Sequence, residues 1–227
     1  ELAGLPPRCV AGAALAAAAA GAAPGAAAQD GEAVLKAVVE HLPVADLASM
    51  EPCDLAAVAW SLAVSGLDGV DAARTIGDAV TARAWEFSAE ELAKVVSAYA
   101  ELGVCHQEMM AAVASEAMLK MDHFGAHDLA RLLQAFAVLG CGDGELFPWA
   151  VRWVVDRLPE FGVSDLAAVL RALDTAACDQ SALAAAIAAG AAGAAAGQRE
   201  AALEENNAAV ASTAKMSVWA RVEKDLR

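Results

Sequence analysis

A gapless repeat of 37 residues constrains the fold of this chain more than any other feature of its sequence. Four segments align without insertions, and their first residues are Met50, Phe87, Phe124 and Phe161. In every copy, apolar residues recur at spacings of three and four, which is the spacing of one face of an α-helix. The clearest two columns are Leu55, Leu92, Leu129, Leu166 and Leu62, Tyr99, Phe136, Leu173.

A second helix follows the first in each copy, with its own apolar columns, such as Ile76, Val113, Ala150. Gly66, Gly103 and Gly140 stand at the turn between the two helices, where a left-handed C-cap favours glycine, and the fourth copy departs with Ala177. A single helix pair cannot bury its apolar face, whereas stacked neighbours can. We therefore predict an all-α fold, a right-handed α-solenoid of two-helix repeats with a 37-residue period.

The flanks extend this pattern more weakly. We place the solenoid at residues 30–197, with 30–49 as the second helix of an earlier unit and 181–196 as the partner helix of the last one. The alanine-rich segment 1–29 is either a degenerate cap helix or the remnant of a targeting segment. Residues 198–227 form a polar C-terminal helix or tail with Trp219 as its apolar anchor. Alanine contributes little to membrane insertion, so we predict no transmembrane span.

Charge and cysteine content narrow the possible partners. The net charge is −15, and residues 50–180 carry 20 acidic and 8 basic side chains. A field of this sign repels phosphate backbones and favours a protein partner. Five widely spaced cysteines without a CxxC pair indicate reduced thiols. Cys141 and Cys178 share one position of the repeat, and we expect them to lie in turns beyond disulfide reach.

The repeat resembles organellar helical-repeat families. Its columns, an opening Phe, then D/E-L-A, A-Y/F-A and L-G, are similar to octotricopeptide and heptatricopeptide repeats and to the related FAST-kinase-like and RAP-domain proteins. The 37-residue period fits the heptatricopeptide group best, over about residues 50–180. The resemblance implies work in mitochondria or plastids, on RNA or as part of an organellar complex. The chain departs from these families in its acidity and in lacking a RAP-like C-terminal domain.

A variable stripe on the first helices is the candidate binding face. Its residues lie between the apolar columns, on the side that would line the concave surface of a solenoid. In modular RNA-binding solenoids such a stripe reads one base per repeat. The alternative is a face that binds protein, which the thin set of three cations favours. The candidate residues are Trp60, Lys94, Ser97, Glu101, Arg131, Gln134 and Arg171.

Three aromatic residues are candidate interface anchors: Trp149 and Trp153, four residues apart and at least partly in the core, and Trp219 in the tail. The acidic column Asp54, Glu91, Asp128, Asp165 lies in the first turn of each first helix, where carboxylates complement the helix dipole. Ser88 and Glu91 form a capping-box sequence.

The sequence gives little indication of a catalytic site or a metal-binding site. His123 and His127 are four residues apart, but a repeat boundary separates them, so we expect surface histidines and no metal site. The sequence has no nucleophile elbow, P-loop or GxGxxG motif. We therefore predict a protein that is not an enzyme and that uses no cofactor, metal or small-molecule substrate.

Together these features predict a non-catalytic scaffold or accessory subunit that binds protein partners within a large organellar complex. We expect it to be soluble or peripherally associated, in either the mitochondrion or the chloroplast. The alternative is an organellar RNA-binding protein that uses the concave face.

Overall fold

The computed structural model describes residues 7–21, 49–65, 70–141 and 145–190, together with the single positions 33, 34, 36 and 47. Every regular element among these residues is helical, so the all-α prediction is confirmed for them. Short 3-10 turns are formed by Ala84–Glu86, Met121–His123 and Leu158–Glu160. The α-helices are α1 (Pro7–Gly21), α2 (Pro52–Ser65), α3 (Val70–Arg83), α4 (Ala89–Leu102), α5 (Gln107–Leu119), α6 (Ala126–Leu139), α7 (Leu146–Asp156) and α8 (Val163–Thr175).

The chain divides into two compact units, residues 1–180 and 181–227. In the second unit the described residues are 181–190, and they are helical. Within the described residues, none of the helices combines the length and the apolar character needed to cross a bilayer. The predicted tail 198–227, including Trp219, and the predicted turn at Gly66 lie outside the described residues.

The first unit consists of two layers of helices. The first layer runs α1, α2, α4, α6, α8, and each of these helices packs against the next. The second layer runs α3, α5, α7 in the same manner. The helices α2, α4, α6 and α8 begin at Pro52, Ala89, Ala126 and Val163, positions that are 37 residues apart. Helix α1, from the alanine-rich segment, packs on α2 in the place of a first helix ahead of the clear repeats.

The predicted apolar columns form the core between the layers. The opening residues Met50, Phe87, Phe124 and Phe161 are all buried, and so are the second-helix residues Ile76, Val113 and Ala150. Burial decreases at the last copy, where Leu166 is only partly buried while its three equivalents are fully buried. Removal of these side chains from water is the main stabilising contribution, because each fully buried Val, Leu, Ile, Phe or Met side chain contributes about 1.5–3 kcal/mol.

Local sequence determines where the first helices begin and end. Ser88 and Glu91 form the predicted capping box of α4, with the Glu91 amide donating to Ser88 Oγ and the Ser88 amide to the Glu91 carboxylate. Gly103 and Gly140 end α4 and α6 with φ of 66° and 63°, as the turn prediction requires. Ala177 takes the same left-handed conformation, with φ of 52°, although it has a Cβ. The turn geometry is therefore kept where the glycine is lost.

The prediction of reduced thiols is wrong for two of the cysteines. Cys105 and Cys141 are joined by a disulfide, with Cα atoms 6.8 Å apart. They are 36 residues apart, one short of the repeat, and each lies in the turn that follows a first helix. The prediction rested on the wide spacing of the cysteines along the chain and on the absence of a CxxC pair, and neither feature takes account of two turns in consecutive repeats that approach each other. Cys9, Cys53 and Cys178 are free.

A column of cations, not predicted from the sequence, lies at the ends of the second-layer helices. Arg83, Lys120 and Arg157 stand 37 residues apart at the ends of the second-layer helices. Arg83 donates to the carbonyl of Met50 at 2.8 Å, and Lys120 donates to the carbonyl of Phe87, also at 2.8 Å. Arg83 and Lys120 therefore each reach the opening residue of their own repeat, whereas Arg157 pairs with Asp122 of the preceding repeat. The charge of each cation also complements the C-terminus of the helix that carries it.

Candidate functional site

Five of the seven predicted binding residues surround one open cavity of about 300 Å³. It crosses three consecutive first-layer helices, α2, α4 and α6, so no single repeat forms it. The small side chains of Ala100 and Ala135 and the exposed Val138 complete its lining. We name this site the three-helix groove; the predicted residues in it are Trp60, Ser97, Glu101, Arg131 and Gln134.

A contact between Arg131 and Trp60 spans the groove. The guanidinium carbon of Arg131, on α6, lies 5.6 Å from the centroid of the Trp60 ring, on α2. Helix α4 runs between them and presents Ser97 and Ala100 there. Because these two side chains are short, the long side chains from either side meet above them. A cation over an aromatic face in this geometry is attractive.

The two remaining predicted residues do not line the groove. Lys94 forms an ion pair with Glu90, one turn earlier on α4, with Nζ and Oε1 2.6 Å apart. The hydrogen bond from Lys94, reinforced by its charge, holds the pKa of the exposed Glu90 carboxyl below its usual value. Arg171 is exposed on α8, beyond the helices that form the groove. Of the three cations of the predicted RNA stripe, Arg131 alone lines the groove.

The groove itself carries one carboxylate and one guanidinium. Glu101 is exposed and makes no ion pair with any described residue. Arg131 faces the Trp60 ring, and Gln134 adds an exposed amide beside it. The arrangement combines an aromatic ring, a flanking apolar side chain, neutral hydrogen-bonding groups and an available negative charge. A surface with this mixture of groups can bind a segment of another macromolecule through both apolar and polar contacts.

The predicted interface anchors differ in exposure. Trp149 is 54% exposed on α7. Trp153 is partly buried, because its ring packs edge-on against Phe161 and its Nε1 donates to Asp122 at 3.0 Å. Trp85, not among the predicted anchors, is more exposed than Trp149, at 66%. It lies in the 3-10 turn after α3, and only its large apolar side chain at a repeat boundary marks it in the sequence.

Two of the described histidines, His106 and His127, lie beside acidic residues. His127 Nδ1 lies 3.3 Å from Asp165 Oδ1, a carboxylate of the predicted first-turn column. His106, which the sequence analysis passed over, caps α5 by accepting from the amide of Met109 at 3.2 Å, while its Nε2 lies 3.1 Å from Asp78 Oδ1. Among the described residues, no three His, Cys, Asp or Glu side chains are grouped as metal ligands.

Comparison with protein families gives one match. The model of the RNA-editing substrate-binding complex 6 protein (RESC6) matches residues 39–202, well over half of the chain. The chain belongs to the RESC6 family. The RESC6 match extends over α2 to α8 and therefore contains every residue of the three-helix groove. The curated proteins yield no match to the chain.

Proposed function

We propose that this protein is a non-catalytic accessory subunit of an RNA-editing complex and that it binds a protein partner in the three-helix groove. Membership of the RESC6 family supports a place in such a complex. The observation that favours a protein ligand over RNA is that none of the three cations is placed to bind a phosphate backbone. Lys94 is neutralised by Glu90, Arg131 covers Trp60, and Arg171 lies two helices from α4. A phosphate backbone needs a continuous row of available cations.

The groove has the make-up of a protein-interface centre. Tryptophan and arginine are the residues most enriched among those that dominate binding energy. Trp60 and Arg131 hold each other in one arrangement, which lowers the entropy lost when a partner binds. Val138 and Gln134 offer apolar and polar contact at the edge.

We further propose that the two helical layers continue as a right-handed solenoid with a 37-residue period, of the heptatricopeptide type, and that the groove lies on its concave face. The equal spacing of the first-helix starts and the serial packing within each layer support this arrangement. As compartment we propose the mitochondrion rather than the chloroplast, because the RNA-editing complex that gives the family its name is mitochondrial.

The test compares the protein subunits that remain bound to the wild-type and the substituted full chains when these are purified from the organelle. We expect wild-type chain to retain protein subunits after nuclease treatment and Trp60→Ala/Gln134→Ala chain to lose at least one of them. Trp85→Ala is the matched control, because it removes an equally large exposed ring outside the groove. Equal retention by all three chains contradicts the proposal.

RNA binding is the second candidate function. The observation that favours it is the same Arg131–Trp60 pair beside Gln134 and Ser97, since aromatic and guanidinium planes stack on unpaired bases. In a salt series with single-stranded RNA, this function requires binding that weakens steeply with salt and that is lost in Arg131→Ala. We expect weak binding that does not depend on Arg131.

A further inference from the structure

We propose that the partner segment in the three-helix groove is a basic peptide in the polyproline II conformation, with a lysine or arginine side chain seated on Glu101. The inference rests on the proposed function and names its ligand. It starts from three residues at equivalent positions of consecutive first-layer helices. Val64, Glu101 and Val138 are each the next-to-last residue of a 14-residue helix.

These three residues form an exposed row across α2, α4 and α6. Val64 is 49% exposed, Val138 is 61% exposed, and Glu101 between them is exposed as well. Two apolar side chains thus flank one carboxylate. The row follows the edge of the groove, since both Glu101 and Val138 line it. An occupant that crosses the helices along this row meets an apolar, an acidic and an apolar position in turn.

The spacing of the row selects the conformation of the occupant. Neighbouring packed helices have axes about 8–10 Å apart. A polyproline II chain has three residues per turn and rises about 3.1 Å per residue, so every third side chain points the same way at intervals of about 9 Å. A β-strand turns its third residue to the opposite side. The row therefore matches the pattern apolar–x–x–basic–x–x–apolar in a polyproline II segment.

The polar groups of the groove suit the backbone of such a segment. A polyproline II chain has no internal hydrogen bonds, so its carbonyls need donors. The exposed Gln134 amide supplies them within the groove, and Trp60, with the Arg131 guanidinium over its ring, forms one wall of the groove. Proline-rich segments bind in grooves that have aromatic linings. An α-helical occupant has its carbonyls already satisfied and makes no use of Gln134.

Charge determines which side chain sits at the centre. The Glu101 carboxylate has no cationic partner among the described residues. Arg131 is seven residues before Val138 on α6, about 10 Å along the helix axis, and its guanidinium faces Trp60. No ion pair between Arg131 and Glu101 is found among the described residues, so the carboxylate is available to a cation of the occupant. The net charge of −15 adds a general attraction for basic segments.

The test selects peptides from a random display library with the full chain as bait. We expect enriched peptides to contain a lysine or arginine flanked at three residues on each side by proline or another apolar residue. Binding of a selected peptide should fall on the order of tenfold with Glu101→Lys and recover when the peptide's basic residue is exchanged for glutamate. Asp156→Lys is the matched control, because it makes the same charge change on the exposed surface of α7.

Four results would overturn the inference. One is a selected set without a central basic residue, and another is a peptide whose affinity is unchanged in Glu101→Lys. If in either case Trp60→Ala/Gln134→Ala still releases protein subunits, the proposed function stands and only the ligand assignment fails. The third is a peptide that is indifferent to Trp60→Ala and Gln134→Ala while those substitutions also leave the subunits bound; then both fail. Displacement of the selected peptide by single-stranded RNA at physiological salt also counts against the assignment.

Discussion

The guanidinium of Arg131 lies over the ring of Trp60, although α4 separates the two helices that carry them. The contact is possible because α4 presents Ser97 and Ala100 between them, and neither side chain is long enough to keep them apart. It joins the first and the third of three consecutive repeats. In a stacked array, where each unit contacts its neighbours, such a contact fixes the shape of a surface as well as its composition.

We expect this contact to appear as a coupling energy in a double-mutant cycle. Trp60→Leu and Arg131→Met, measured alone and together by chemical denaturation, should show a coupling of about 0.5–1 kcal/mol, the range for a partly exposed cation–π pair. The control cycle combines Arg131→Met with Trp85→Leu, whose ring is outside the groove. Equal coupling in the two cycles would contradict the contact.

Lys120 should matter more for stability than Lys94. Its ammonium group donates to the carbonyls of Trp85 and Phe87 at 2.7 and 2.8 Å and also contacts Glu116. Lys120→Met leaves both carbonyls without this donor, and we expect a loss of about 1–2 kcal/mol in the free energy of unfolding. Lys94→Met removes only an exposed pair, which water screens, and should cost clearly less than Lys120→Met. Denaturation curves in which the two variants lose equal stability would count against the cation column.

The His106 ring should leave no room for a side chain at position 77, so that Gly77 is needed there. A Cβ at Gly77 would lie 2.5 Å from Cδ2 of the His106 ring, which is held between Asp78 and the start of α5. We expect Gly77→Ala to destabilise the protein by about 1–3 kcal/mol, because overpacking outweighs the gain in helix propensity. In a His106→Ala background the same change should become neutral or stabilising. Gly12→Ala, where a Cβ meets nothing within 4 Å, is the control and should not destabilise.

The Glu90–Lys94 pair gives a prediction of pH dependence. Since Lys94 lowers the pKa of Glu90 in the folded protein, the pair stabilises the fold at pH values above the ordinary glutamate pKa. That contribution is lost as the pH falls through the lowered pKa. In Lys94→Met, carboxyl-carbon NMR should show the Glu90 pKa rising toward its ordinary value. A titration that is identical in both proteins would show that the pair does not form in solution.

The disulfide between Cys105 and Cys141 is testable by mass. Under non-reducing conditions the purified chain should yield one crosslinked peptide pair that contains both cysteines. On the chain-entropy model, a loop of this length stabilises the fold by up to about 4 kcal/mol, so Cys105→Ser should lower the melting temperature. Cys53→Ser, at an exposed free thiol, should not. Recovery of both cysteines as free thiols would contradict the bridge.

Much of the helical fold could be predicted from the sequence, because the residues that determine it recur at a regular interval. The repeat placed Phe87, Phe124 and Phe161 in the core, and the turn glycines Gly103 and Gly140 have the predicted conformation. Each of these follows from helix geometry within one or two repeats. Where a neighbouring unit supplies the same environment, the same residue type recurs.

The contacts of the candidate site could not be predicted as well, because they form between side chains of different repeats. The stripe placed Trp60 and Arg131 on one face, but their meeting across α4 depends on side-chain length and on what α4 presents between them. The pairing of Lys94 with Glu90 could have been found from its spacing of four residues. The Cys105–Cys141 bridge escaped because the pair is one residue out of register with the repeat.

The identity of the ligand can be read from a photo-crosslink at Gln134, the exposed amide of the three-helix groove. A photoreactive amino acid placed there in the full chain, within its organelle, forms a bond to whatever occupies the groove. The same amino acid at Ser115, exposed on α5, gives the background. We expect an adduct specific to Gln134 that protease destroys and nuclease leaves intact. A nuclease-sensitive adduct would assign the groove to RNA and contradict a protein partner.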